Sequence, residues 1–171
     1  PYVTVGGEML LPWVRLHATH SYLDMGRLLL RHPKLRVTVN FTASLLEQLE
    51  LVARREVKEP WLDLMSKPAD ALTPDDRRFL VEQFFHVQHE RGILPVPRYR
   101  ELLAKRSRGA DAFSVDELRD LQVHFPLAWM GFTAAEVEPD VARLRAKGSR
   151  FDEDDKRALL AAQQRIVEGV L

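Results

Sequence analysis

Cysteine is absent from these 171 residues, which removes disulfides and thiolate chemistry and fits a reducing compartment. No uninterrupted apolar run approaches about 18 residues, so no helical membrane span is expected. The opening PYVTVGGEMLLPW has neither the basic start nor the long apolar centre of a secretory signal. It also has no initiator Met, as in a trimmed or excised chain, and cytoplasmic residence is the expectation. No Gly-rich phosphate loop, nucleophile elbow or Walker pattern occurs. An excess of one charge is missing too: Lys+Arg and Asp+Glu each number 25. That balance argues against a strongly basic nucleic-acid binder.

What remains has the composition of a globular protein, 46% hydrophobic and 29% charged, and is long enough for one domain with a core. The stretch Arg36–Phe41, RVTVNF, alternates Val37, Val39 and Phe41 with Arg36, Thr38 and Asn40, the period of a half-buried strand. A helix is predicted before it over 20–31, with Thr19 as N-cap and Pro33 as stop, and another after it over 44–55. The fold class expected is therefore mainly α with one βα unit. In such units ligands gather at the carboxyl ends of strands, here Asn40 and Thr42.

The later chain reads as helices. Thr73-Pro74-Asp75-Asp76 is a hydroxyl cap with proline at the first position and acids at the positive helix end, opening a helix that should fade near Gln88–Gly92. Pro97 to Lys105 is a further helix. Ser114-Val-Asp-Glu117 is a capping box with Phe113 and Leu118 as its staple, and its helix should break or kink at Pro126. Thr133-Ala-Ala-Glu136 reads as another capping box, Pro139 can begin the helix that ends before Gly148, and Asp152–Asp155 opens the last helix. The tally is about seven helices and one strand.

Three groups of residues bear on chemistry. His17/His20 and His86/His89 are both H-x-x-H, a spacing that places two imidazoles on one helical face and invites a divalent metal; surface decoration is the competing reading. The acids fall mostly at caps (Asp75, Asp76, Glu117, Asp152–Asp155) or on solvent-facing helix surfaces (Glu47, Glu50), and no facing acid/base pair can be assembled from them. Trp13, Trp61 and Trp129 offer flat apolar faces to a sugar ring, with core burial the alternative for Trp61 and Trp129.

Read as long phrases, LPWVRLHATHSYLDM and HPKLRVTVNFTASLLEQLE resemble the N-terminal part of glycoside hydrolase family 57, in its α-amylase/α-mannosidase-like branch. KPADALTPDDRRFLVEQFFH, PRYRELLAKR, FSVDELRDLQVHFPLAWMG and KGSRFDEDDKRALLAAQ follow in the same order. The resemblance implies a retaining enzyme acting on α-glucans, and a (β/α)7 barrel of which this chain would be a partial lobe with a helical insertion: 1–55 the barrel-derived part, 56–171 the helical part. It places Trp13, Arg15, His17 and Asn40 at the substrate rim, with an α-glucan or oligosaccharide as partner and no cofactor. Pro1-Tyr2 corresponds to the tail of the family's His-Gln-Pro motif, and His20-Ser21-Tyr22, Ala43 and Pro126 depart from the family's usual residues. The catalytic Glu and Asp belong to motifs this chain does not contain, so the chain alone should be inactive. The rival reading is a standalone helical interaction module with an exposed patch around Phe84, Phe85, Trp129 and Met130. Unpaired edges of strand 36–41 invite self-association in either case.

Overall fold

The computed structural model describes residues 3–4 and 6–170; the motif tail at Pro1-Tyr2 lies outside the described residues. Three helical segments run without a break from Trp13: α1 (Trp13–His17), a π turn (Ala18–Tyr22) and α2 (Leu23–Arg31). Thr19 is not the N-cap expected of it. It lies inside the π turn, and its hydroxyl donates to the carbonyls of Arg15 and Leu16, turning back on the helix as Ser and Thr do when enclosed. Ahead of α1, Met9 N–H donates to Lys58 O and Lys58 N–H to Gly7 O, pinning the lead-in to the chain just before Pro60.

The predicted strand is not formed. Among the described residues there are only isolated bridges, Val3 with Met9 and Glu8 with Lys58, and no sheet. The βα unit and the partial (β/α)7 barrel lobe expected from it are therefore wrong for this structure. Residues 36–41 connect α2 to α3 (Ala43–Ala53) as irregular, exposed chain. The physical reason is plain: alternation creates an apolar face, but a strand exists only when a second one satisfies its N–H and C=O groups.

The remaining elements are helical: α4 (Pro60–Ser66), α5 (Pro74–Gln83), α6 (Pro97–Lys105), α7 (Val115–Trp129), α8 (Ala134–Val137), α9 (Pro139–Lys147) and α10 (Glu153–Gly169). A second π turn covers His89–Ile93, and α5 stops at Gln83, earlier than expected. Around α7 the core is organised. Asp120 through Leu127 are buried without interruption, the mark of a helix enclosed on every side. One side of α7 meets Trp61, Phe84, Phe85 and Tyr99, with Trp61 stacked on Phe84 at 5.6 Å and Phe84 on Phe125 at 4.5 Å. The other side carries Val123 and Leu127 against Val141, Leu144, Leu159 and Ile166 of α9 and α10. A third cluster (Met9, Val14, Ala18, Leu49, Val52, Val167) ties α1 and α3 to α10.

Phe84, Phe85 and Met130 are 0%, 1% and 4% exposed, so these three do not form the exposed patch that would have favoured the interaction-module reading. No helix of the described residues is long and apolar enough to cross a membrane.

Candidate carbohydrate-facing surface

Trp13 and His17 are four residues apart on α1, which sets them one above the other on the same face. Trp129, the last residue of α7, closes over both. Its ring centroid is 5.2 Å from that of Trp13 and 6.0 Å, edge-on, from that of His17. Tyr22 extends the group, 6.3 Å from His17. All four are half-buried. The indole N–H of Trp129 donates to the His86 carbonyl at 3.1 Å, which fixes the ring plane from the far side. The Ser21 hydroxyl sits 3.5 Å from His17 Nδ1. Burial lowers the His17 pKa, and the neighbouring His20 lowers it further, so His17 stands neutral at pH 7, with one ring nitrogen to donate and one to accept.

The four residues expected at a substrate rim do not come together. Trp13 and His17 do. Arg15 faces the opposite way, 1% exposed, with Nε and Nη2 on the two carboxylate oxygens of Glu59 at 2.7 and 2.6 Å. That geometry is the planar fork pairing typical of Arg and carboxylate. It makes Arg15 a clamp between α1 and the entry to α4 and leaves it out of reach of a ligand. Asn40 sits in the exposed connection 36–41, with no hydrogen bond or ring contact to the aromatic group among the described residues.

Nor do the histidines assemble a metal centre: among the described residues no group of three or more His, Asp or Glu is placed to hold an ion. His20 instead lies 4.0 Å from Asp24, whose carboxylate accepts from the backbone N–H groups of Phe132 and Thr133 and from the Thr133 hydroxyl. Of the carboxylates whose pKa moves, all move down. For Asp76 the Lys67 ammonium is the main cause. For Glu117, Glu153 and Asp155, burial pulls upward but is outweighed by Lys105, by Lys156 with Arg119, and by Lys147 with Arg143 respectively. Held as anions, these groups serve caps and ion pairs.

The sequence reading offers Trp129 as a flat apolar face without joining it to Trp13 and His17, and it does not count Tyr22 among the rim residues. The i, i+4 spacing of Trp13 and His17 was the one signal available, since Trp129 arrives from 112 residues away. Cavities of about 430 Å³ beside Tyr99 and His124 and about 510 Å³ beside Arg78 and Arg106 lie elsewhere and are lined by none of the four aromatic-cluster residues. The cluster presents flat ring faces and one neutral imidazole that can both donate and accept a hydrogen bond. Comparison with family models, with curated proteins and with solved structures gave no match.

Proposed function

We propose that this chain is the N-terminal part of a retaining α-glucan-active glycoside hydrolase or glucanotransferase, and that it supplies a sugar-contacting surface but no catalytic group. The observation that carries the reading is the half-buried cluster of Trp13, His17, Tyr22 and Trp129, the first three in the opening stretch that resembles glycoside hydrolase family 57 and Trp129 in the later phrase FSVDELRDLQVHFPLAWMG. Aromatic faces match the C–H faces of a pyranose, and a neutral imidazole can both donate to and accept from its hydroxyls. Two of the four residues that the resemblance places at the rim stand outside the cluster: Arg15 is a structural clamp, and Asn40 sits in the exposed connection.

The test is an amide and indole NMR titration with maltoheptaose. Saturable shifts confined to Trp13, His17, Tyr22 and Trp129 are expected, with Trp13→Leu weakening the apparent affinity roughly tenfold, as loss of about 1.4 kcal/mol of stacking would. Unmoved resonances at about 10 mM sugar, a millimolar-range limit for any useful affinity, would reject the proposal.

A further inference from the structure

Among the described residues, seven of the twelve exposed large apolar side chains fall between residues 28 and 46: Leu28, Leu30, Leu35, Val37, Val39, Phe41 and Leu46. That concentration in so short a stretch marks a surface and not random exposure. Every residue from Arg31 to Ser44 is exposed. Leu35 N–H still bonds to His32 O, and Thr42 O already accepts from Leu45 and Leu46. Between them, among the described residues, no hydrogen bond reaches the backbone of 36–41. A six-residue alternating segment with a bare backbone on both sides is a strand awaiting a partner.

We propose that two copies of this chain pair antiparallel through residues 36–42 about a two-fold axis at Val39. In that register Val39 lies opposite its own copy, Val37 opposite Phe41, Thr38 opposite Asn40, and Arg36 opposite Thr42. Both apolar sets then share one face and both polar sets the other; a slip by one residue would set valines against Thr38 and Asn40. Charge selects the same arrangement. No acid occurs between Asp24 and Glu47, and Lys34 and Arg36 have no ion-pair partner among the described residues. A parallel pair would stack these cations on their own copies, whereas the antiparallel pair sends them to opposite ends. The contact is two-fold, using the same edge of the segment on both copies, so the first association step is a dimer. Zero net charge removes long-range repulsion between copies. The proposal does not depend on the carbohydrate reading.

The absence of cysteine gives a direct test. In the 171-residue chain, V39C places two thiols on directly opposite Cβ positions, about 5 Å apart across the pair, while V37C faces Phe41. Mild oxidation should crosslink V39C to a dimer at least about tenfold faster than V37C, a difference of about 1.4 kcal/mol in effective encounter. Sedimentation of the unmodified chain should show a concentration-dependent monomer–dimer equilibrium that V39K abolishes, with the helical circular dichroism unchanged because residue 39 is exposed and lies outside the helices. A monomer at about 100 μM, where even a weak 10 μM dimer would be mostly formed, would overturn the proposal. So would equal crosslinking at both positions.

Discussion

Arg15 and Glu59 are almost wholly enclosed, and the pair is satisfied on two guanidinium nitrogens but not on Nη1, which is buried with no partner. Removing one member leaves a charge in a place that water cannot reach. Arg15→Met or Glu59→Met should therefore cost about 3–5 kcal/mol in chemical denaturation, and the double change Arg15→Met/Glu59→Met should recover much of that loss. Additive losses would mean the pair is not coupled. His124 poses a different residue-scale question. It is 3% exposed, stacked on Tyr99 at 5.2 Å, with Nε2 buried and unpartnered. Burial pushes its pKa down to about 4, against the pull of Asp120. An imidazole that titrates at about 4 when folded and about 6.5 when unfolded binds its proton more readily in the unfolded chain. Its contribution to stability is thus complete above about pH 6.5, declines as pH falls toward 4, and is gone below that. Between pH 7.5 and pH 5 the loss from this group should be about 2 kcal/mol. Urea unfolding at both pH values should show that His124→Phe has a flatter pH dependence than the parent by that amount; parallel profiles would rule it out.

At the scale of elements, what could be read from sequence was whatever is written locally. The boxes at Thr73/Asp76, Ser114/Glu117 and Asp152/Asp155 all form with both hydrogen bonds in place, because hydroxyl or carboxylate and acid stand three residues apart and need nothing distant. Thr133 to Glu136 has the same spacing but no capping bond. Its hydroxyl and N–H are taken by Asp24, 109 residues back in sequence, and a local pattern yields to that buried carboxylate. Gly131 belongs to the same contact: a Cβ there would stand 2.4 Å from Asp24 Oδ2. Pro126 neither breaks α7 nor ends it. It stands one turn from the helix C-terminus, where it removes the single bond to the Gln122 carbonyl, and its own carbonyl accepts from Met130. The π turn at Ala18–Tyr22 left no mark in the apolar periodicity. Segment 36–41 was misread for the opposite reason: its alternation is real, but pairing is a property of two segments. Trp13 and His17 enter the sequence reading as rim residues through the resemblance alone; that they share a helix face, and that Trp129 packs over them, is visible only in the structure.

For the whole molecule, the distribution of its carboxylates bears on what it can do unaided. Glycoside hydrolysis needs one carboxyl kept protonated near neutral pH and a second kept ionised, separated by about 5–5.5 Å in retaining enzymes. Here the shifted acids are all drawn toward ionisation by lysine and arginine partners: Lys67 on Asp76, Lys105 on Glu117, Lys156 and Arg119 on Glu153, Lys147 and Arg143 on Asp155. Each of the four also serves a helix cap or a junction between elements. Glu153 accepts from Ala69 N–H and Arg119, and Lys156, 1% exposed, ties Glu153 to Gln122 and to the Lys67 carbonyl. None of them can give up its charge to act as an acid without loosening the packing around α7 and α10. With these acids held as anions, the 171-residue chain, even if it binds maltoheptaose at the Trp13–Trp129 face as proposed, should release no reducing sugar from it between pH 5 and pH 8. Glu117→Gln and Asp155→Asn should lower stability by about 1–3 kcal/mol each, through lost charge-assisted hydrogen bonds, and leave the sugar-induced shifts of Trp13 and His17 where they were. Reducing sugar that accumulates with the parent and disappears with either substitution would place a catalytic acid within these residues and undo the division between a sugar-contacting face and a purely structural set of carboxylates.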